Sequence, residues 1–274
     1  MSVNNTFLRI LVSVITIPLI LFISYTGGVL FFIFIMLISL LSYYEFTTLI
    51  KKMDINANFW IGFAGVLFVL LNNKYHYLDT YSFVLLFMLV LSASELFRKE
   101  SLTISNIGAT LLGVFYIGFF GSTIIGIRQI YPQVSSLYER GGYIIICIFA
   151  AIWICDSAAF FGGTALGKHK LFPRVSPKKS WEGAIFGFFF AIGTMVLARI
   201  IILDFLSWST IFAIGIIVGI FGQIGDLIES LIKRNANVKD SSNLIPGHGG
   251  VFDRFDSLLY SAPIIFLYLT YFGK

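Results

Sequence analysis

An uncharged apolar run, Phe205–Gly225, reads FLSWSTIFAIGIIVGIFGQIG. A helix of about 20 apolar residues is long enough to cross the hydrocarbon core of a bilayer, so this run predicts a transmembrane helix. Similar uncharged windows occur at Ile10–Tyr44, Ser101–Ile127 and Ser257–Gly273. The sequence therefore predicts a chain that crosses a membrane several times.

The composition excludes an ordinary soluble domain. Of the 274 residues, 58% are hydrophobic and 12% are charged, whereas about 25% of the residues in a typical soluble domain are charged. Arg9 is the only basic residue ahead of the first apolar run, and no small-residue cleavage site follows that run. The run is therefore predicted to be a retained first span rather than a secretory signal.

Hydropathy predicts an all-α polytopic membrane protein, with about nine transmembrane helices and two polar loops that carry the chemistry. The predicted spans cover residues 7–25, 28–48, 59–72, 80–97, 105–127, 143–162, 181–203, 208–231 and 257–273. Because no internal repeat, low-complexity tract or linker is evident, residues 1–274 are predicted to form a single transmembrane domain. Residues 1–140 would be its scaffold half and residues 141–274 its catalytic half.

The distribution of Lys and Arg predicts the orientation of the chain. Cytoplasmic segments of membrane proteins carry an excess of these residues. With the N-terminus in the cytoplasm, most of the 19 Lys and Arg residues fall in cytoplasmic segments. The exceptions are Lys74, Arg128, Arg140, Arg199 and Lys274. Both polar loops are therefore predicted to face the cytoplasm, and the C-terminus to lie on the opposite side.

Four polar residues within apolar runs are given structural interpretations. Glu45 and Glu95 lie near the predicted cytoplasmic ends of their spans, where a hydrated carboxylate is tolerable. Both are interpreted as interface anchors beside nearby basic residues. Cys147 and Cys155 are eight residues apart in one run, roughly 12 Å along a helix axis. They are therefore predicted to pack as small residues and not to form a disulfide.

A charged stretch separates the last two apolar runs. It covers Ser230–Asp256 and reads SLIKRNANVKDSSNLIPGHGGVFDRFD. Burying so many unpaired charges would cost several kcal/mol or more for each of them. The stretch therefore predicts a site for an anionic ligand with a metal ion beside it. Just ahead of it, Asp226 shares a helix face with Lys233 and with either Glu229 or Ser230, because successive members are spaced by about one helical turn.

The glycine turn Pro246–Gly250 lies inside the charged stretch. Gly249 and Gly250 lack side chains, so their backbone N–H groups are predicted to approach a phosphate closely. Asp253 and Asp256 follow, and their carboxylates converge if a helix has already begun there.

An earlier polar segment begins inside the sixth span. An aspartate in an apolar span is costly and by default indicates a functional site, so Asp156 is predicted to line the site. The alternative, a structural pairing with a basic residue of the next loop, stays open. The segment VSPKKSWEG places Ser176, Lys178 and Lys179 just ahead of a helix N-terminus, where anions bind. The alternative that these lysines only bind anionic lipid headgroups also stays open.

The charged stretch resembles the signature of the phosphatidate cytidylyltransferases, also called CDP-diacylglycerol synthases. That signature has Ser, two residues, Lys-Arg, four residues, Lys-Asp, and then a Pro-x-His-Gly-Gly turn and Asp-Arg-x-Asp. The matching residues are Ser230, Lys233, Arg234, Lys239, Asp240, Pro246, His248, Gly249, Gly250, Asp253, Arg254 and Asp256. The segments DSAAF and SPKKSWEG also resemble that family and occur in the same order.

The resemblance implies the reaction of CTP with phosphatidate to give CDP-diacylglycerol and pyrophosphate, with Mg²⁺ as the cofactor. It implies catalytic roles for Asp226, Asp253, Lys233 and His248, and metal ligation by Asp226, Asp253 and Asp256. It implies that substrates contact Asp156, Ser176, Lys178, Lys179, Ser230, Arg234, Lys239, Gly249, Gly250 and Arg254. Whether a monovalent cation accompanies Mg²⁺, and whether His248 contacts pyrophosphate or braces the turn, stays open.

The resemblance also implies the surroundings of the enzyme: a bacterial cytoplasmic (inner) membrane, membrane lipids as neighbours and no nucleic-acid partner. Whether the chain forms a homodimer stays open. Two rival interpretations are weaker. A CDP-alcohol phosphotransferase would carry a D-G-x-x-A-R motif that this sequence lacks. A transporter of an anionic solute would show internally repeated halves, which are also absent.

Overall fold

The computed structural model describes residues 3–99 and 102–273, in which the chain forms nine helices and one short β-hairpin. The helices are α1 (Val3–Thr26), α2 (Gly28–Lys51), α3 (Phe59–Tyr75), α4 (Thr80–Glu95), α5 (Thr103–Arg128), α6 (Tyr138–Leu166), α7 (Trp181–Ile201), α8 (Trp208–Asn235) and α9 (Phe252–Tyr271). Each predicted span overlaps one of them. Lys274 and the side chain of Arg9, both counted in the orientation, lie outside the described residues.

The helices have the length and composition expected of membrane spans. Five of them, α2, α5, α6, α7 and α8, are long and apolar enough to cross a bilayer. Shorter apolar helices cover Ile10–Thr26, Phe59–Tyr75 and Thr80–Glu95. The predicted all-α polytopic membrane protein is therefore confirmed.

The last helix, α9, lies at the centre of the bundle. It packs against α2, α5 and α8. Phe252, Leu259, Ala262 and Ile265 on α9 are fully buried. Hydropathy predicted this span to begin at residue 257, but the helix begins at Phe252. The first turn of the helix carries the charged end of the signature, so the apolar run starts later than the helix does.

Glycines allow α6 and α7 to lie close together. A Cβ at Gly183 would come within 2.6 Å of the Ala159 carbonyl oxygen, and one at Gly187 within 2.9 Å of the Cys155 carbonyl oxygen. Helices in membranes commonly associate through such small residues, because their backbones can then approach. Cys155 and Cys147 are both buried and unpaired on α6, as predicted.

A hairpin connects α6 to α7. Its strands are β1 (Lys170–Phe172) and β2 (Ser176–Ser180), which pair antiparallel with Lys170 opposite Ser180. The Ser180 hydroxyl then caps α7 by accepting a hydrogen bond from the Gly183 N–H at 3.2 Å. The hairpin therefore runs directly into the N-terminus of a membrane helix.

Arg128 connects α1, α5 and α6 at the end of the bundle opposite the hairpin. Its side chain is buried and donates to the carbonyl oxygens of Ser24, Tyr25 and Tyr138 at 2.8 to 2.9 Å. The guanidinium also lies 4.0 Å from the centroid of the Tyr138 ring. It thereby satisfies carbonyl groups at the end of α1, which have no partner within that helix.

Candidate active site

A cavity of about 590 Å³ lies where the hairpin meets α6, α7, α8 and α9. Ten charged side chains line it, five acidic and five basic. They are Asp156, Asp226, Asp240, Asp253 and Asp256, and Lys170, Lys178, Lys179, Lys233 and Arg254. Because a lone buried charge is costly, such a set is stable inside a bundle only when opposite charges are close to one another.

The α8 helix supplies one wall of the cavity. Asp226 and Lys233 both line it, as expected from their spacing of about two helical turns. The Ser230 hydroxyl, one turn from Asp226, donates to Asp226 Oδ1 at 3.3 Å. Glu229 is fully buried, and its Oε2 lies 2.5 Å from Lys233 Nζ. One face of α8 thus carries a carboxylate, a hydroxyl and an ammonium group.

The hairpin contributes cations from the other side of the cavity. Lys179 Nζ lies 2.5 Å from Asp226 Oδ2, a pairing that joins β2 to α8 across 47 positions in sequence. Both side chains are about one-third exposed, so solvent reaches the pair. Lys178 and Lys170 also line the cavity. The two segments singled out in the sequence therefore meet at one site.

Asp253 accepts three hydrogen bonds and shares a fourth donor, the Ser241 hydroxyl, with Glu45. Its Oδ1 accepts from Lys233 Nζ at 2.6 Å. Its Oδ2 accepts from the N–H and hydroxyl of Ser241, both at 2.9 Å, and from the Gly250 N–H at 2.8 Å. The sequence predicted a metal ligand here. Asp253 lines the cavity and contacts Lys233 and the 236–251 loop between α8 and α9, and its role as a metal ligand stays a prediction.

Asp256 and Asp156 complete the acidic part of the lining. Asp256 is buried, and its Oδ1 accepts from the Ser257 N–H at 2.7 Å. Asp156 projects from α6 into the same cavity, as predicted for an aspartate inside a span. Asp156, Asp226 and Asp256 therefore come from three helices and line one cavity.

Several of the sequence-predicted residues lie outside the cavity lining. They are Ser176, Ser230, Arg234, Lys239, His248, Gly249 and Gly250. Arg234 donates from Nε to the Val175 carbonyl oxygen at 3.1 Å and from Nη1 to the Val238 carbonyl oxygen at 3.0 Å. It thereby connects the hairpin turn to the end of α8. His248 Nε2 lies 3.3 Å from the Ser13 hydroxyl on α1, and Lys239 is exposed.

Backbone conformation at Gly249 and close packing at Gly250 explain why glycine occupies these two positions. Gly249 has φ of +84°, which favours glycine. A Cβ at Gly250 would lie 1.9 Å from Ser241 Oγ and 2.5 Å from Glu45 Oε2. The Gly250 N–H donates to Asp253 within the loop, and its predicted contact with a phosphate stays a prediction.

Glu45 is the main residue that sequence reasoning misjudged. It was interpreted as a hydrated interface anchor, but it is fully buried and contacts the 236–251 loop. The available signal was a glutamate inside an apolar span, the same feature that singled out Asp156. Glu95, interpreted in the same way, is buried beside Arg98, with Oε1 2.7 Å from Nη1. Lys170 and Gln223 also line the cavity and were not predicted, as does Asp240, a signature residue to which no role was assigned.

The donor set fits a magnesium ion. Among the described residues, no three His, Cys, Asp or Glu side chains are close enough together to form a metal cluster as they stand. Mg²⁺ requires fewer protein ligands than three, because it typically takes one or two protein carboxylates and completes its shell with water and phosphate oxygens. Asp226 and Asp256 both line the cavity, and Asp226 would have to release Lys179 to bind the ion.

Comparison with known proteins gives the same family from a family model and from individual relatives. Residues 7–272 match the cytidylyltransferase family. A phosphatidate cytidylyltransferase of Bacillus subtilis is 31% identical over 97% of this chain and 98% of its own length. One from Brucella suis is 32% identical over 99% and 96% of the two chains, and one from Staphylococcus aureus is 30% identical over 94% and 96%.

Proposed function

Because this chain belongs to the cytidylyltransferase family and is a nucleotidyltransferase, we propose that it converts CTP and phosphatidate to CDP-diacylglycerol and pyrophosphate in phospholipid biosynthesis. The observation that carries the proposal is the cavity itself. It brings lysines from the hairpin and α8 together with carboxylates from three membrane helices. Such a site suits two polyanions, one of which is a membrane lipid.

The chemistry makes modest demands on a base. An oxygen of the lipid phosphate attacks the α-phosphorus of CTP, the bond to the β-phosphate breaks, and pyrophosphate leaves with the electron pair. A phosphate monoester has a second pKa of about 6, so the nucleophile is already largely ionised at neutral pH. Catalysis then depends on holding both phosphates in line and on offsetting their negative charge.

The cations of the cavity supply this charge. Lys178, Lys179 and Arg254 are exposed or half-buried in the lining and would bind phosphate oxygens. Lys179 now pairs with Asp226, so an arriving phosphate competes with that carboxylate for the ammonium group. Lys233 is more deeply held, by Glu229 and Asp253, and would present a fixed positive charge. Asp156 would orient the groups that enter from the α6 side.

Asp226 and Asp256 would hold Mg²⁺, which draws charge from the phosphates when bound. Asp253, which was predicted together with Asp226 to be a main ligand, would hold Lys233 and the loop. It would bind Mg²⁺ only if one of its present donors moved, as Lys179 would have to move from Asp226. Arg234 would support the hairpin and His248 would brace the turn against α1, in line with their present contacts.

A direct assay tests the proposal. The purified protein in detergent micelles, given phosphatidate, Mg²⁺ and CTP labelled in the cytosine ring, is expected to transfer label to organic-extractable lipid. Pyrophosphate should appear in equal amount. Diacylglycerol in place of phosphatidate should give no product, because it lacks the attacking phosphate. Chelation should abolish the labelling and added Mg²⁺ should restore it. An absence of lipid labelling under the complete conditions would exclude the activity.

The orientation makes a separate prediction. With nine spans and a cytoplasmic N-terminus, a reporter fused after Lys274 should lie outside the cytoplasm. A reporter inserted in the hairpin turn, between Phe172 and Ser176, should lie in the cytoplasm together with the cavity. Finding both reporters on the same side would contradict the proposed topology. The enzyme would then have a different number of spans.

A further inference from the structure

We propose that Glu45, in the half of the chain without signature residues, is a positioning residue for the transfer reaction. It acts by holding the 236–251 loop against the start of α9. The inference rests on the proposed function, since its readout is turnover. Three observations carry it: the burial and donor set of Glu45, the lack of another cap on α9, and a continuous path of contacts from Glu45 to Lys233.

Glu45 lies on α2, six residues before its end, and is fully buried. Its Oε1 accepts from the Ser242 hydroxyl at 2.5 Å and from the Val251 N–H at 2.9 Å. Its Oε2 accepts from the Ser241 hydroxyl at 2.9 Å and from the Phe252 N–H at 2.7 Å. Three of these donors serve Glu45 alone, and the Ser241 proton is shared between Glu45 Oε2 and Asp253 Oδ2, so each oxygen of the buried carboxylate accepts at least one hydrogen bond.

The N-terminus of α9 depends on this carboxylate. Among the capping contacts in the described part of the chain, α9 has no hydrogen bond from its own N-cap side chain, unlike α3, α4, α7 and α8. The first N–H groups of a helix need acceptors, and a negative charge there also interacts favourably with the helix dipole. Glu45 supplies the acceptors and the negative charge from α2, about 200 positions earlier in the sequence.

From Glu45 a chain of contacts leads to the cavity. Ser241, which touches Glu45, also contacts Asp253 Oδ2 through its N–H and its hydroxyl. Asp253 in turn holds Lys233 Nζ at 2.6 Å. Lys233 and Asp253 both line the cavity, whereas Glu45 does not. Glu45 therefore reaches the reacting groups through Ser241 and Asp253, and through the first turn of α9.

The charge of Glu45 matters here, and not only its volume. In Glu45→Gln, whichever way the amide is turned, its NH₂ group faces two donors, one of them a backbone N–H of Val251 or Phe252. That N–H loses its acceptor in a buried place, which displaces the loop. Misplacement of a reacting group by about 1 Å can lower a rate on the order of 10²-fold.

The test compares Glu45→Gln with a matched control, Glu95→Gln. Glu95 is also a buried membrane-helix carboxylate, but it pairs with Arg98 on a different part of the bundle. The activity of the wild-type protein tests the proposed function separately, so a failure of that function can be distinguished from a failure of this inference. Glu45→Gln is expected to lower kcat by about 30- to 100-fold while KM for CTP and phosphatidate stays within about threefold. Glu95→Gln is expected to keep kcat within about threefold of wild type.

A double-mutant cycle separates positioning from general destabilisation. If Glu45 acts through Ser241, then Glu45→Gln combined with Ser241→Ala should be no slower than Glu45→Gln alone within about threefold. Multiplicative losses in the double variant would overturn the inference. So would a Glu45→Gln enzyme whose loss matches its unfolded fraction, measured by thermal unfolding in detergent.

Ser241→Ala and Ser242→Ala provide the test if Glu45→Gln does not insert. Ser241→Ala breaks the path to Asp253 and should lower kcat by about tenfold or more, whereas Ser242→Ala removes one donor off that path and should change kcat by less than about threefold. Equal effects of the two serine variants would overturn the inference.

Discussion

Replacing Asp226 with asparagine is expected to reduce turnover by about 10²-fold or more, equivalent to about 2.7 kcal/mol or more of transition-state stabilisation. The change keeps the size of the side chain but removes the charge that pairs with Lys179 and that would hold Mg²⁺. The measurement is lipid labelling from CTP at saturating substrate and Mg²⁺. The matched control is Asp204→Asn, because Asp204 is an exposed residue of the α7–α8 connection, away from the cavity.

The dependence on Mg²⁺ distinguishes two explanations for that loss. If Asp226 is a metal ligand, the Asn variant should need a higher Mg²⁺ concentration for half-maximal activity, in addition to having a lower kcat. If Asp226 only orients Lys179, the Mg²⁺ requirement should be unchanged. A variant with near-normal turnover and an unchanged Mg²⁺ requirement would remove Asp226 from the site altogether.

Much of the fold could be predicted from hydropathy, because a transmembrane helix is specified locally. Its backbone hydrogen bonds are all internal, and its length is set by the bilayer. Even the short predicted span at residues 59–72 corresponds to a helix, Phe59–Tyr75. The errors occur where polar residues extend a helix beyond the apolar run. For this reason α8 continues through Lys233 to Asn235, and α9 begins at Phe252.

The site could be predicted only in part. The α8 face was predictable, since Asp226 and Lys233 follow helical periodicity. The pairing of Lys179 with Asp226 was not, because periodicity carries no information about contacts between separate elements. Only the resemblance to a family suggested that the two segments meet. The hairpin that delivers Lys179 was likewise not predicted from its few strand residues.

Glu45 lies in the half of the chain that the sequence predicted to be scaffold. A buried carboxylate and a hydrated one near a helix end look alike in sequence. The difference lies in the donors, which come from residues 241–252 and are brought to Glu45 only by the packing of α9 against α2. The first half therefore supports the site through one anion, although it carries no signature residue.

Replacing Gly250 with alanine is expected to have the second large effect. A Cβ there would lie 1.9 Å from Ser241 Oγ and 2.5 Å from Glu45 Oε2, so the loop must move. Overpacking a well-packed site typically costs about 1–3 kcal/mol of stability. The larger consequence should be catalytic, because the displaced groups are those that hold Asp253 and Lys233. We expect kcat to fall by roughly 10²-fold, with a thermal unfolding midpoint lowered by only a few degrees.

The control for that variant is Gly193→Ala on α7, where an added Cβ meets nothing within 4 Å. Alanine is favoured over glycine within a helix by roughly 0.5–1 kcal/mol, so this variant should be fully active and at least as stable as wild type. The kinetic pattern of Gly250→Ala then separates two roles for the turn. A phosphate-binding amide would give a large rise in KM for CTP or phosphatidate, because ground-state contacts would be lost. A turn that positions Lys233 through Asp253 would give a low kcat with KM nearly unchanged. A raised KM at normal kcat would instead show that the reaction does not require the hydrogen bond from Gly250 to Asp253.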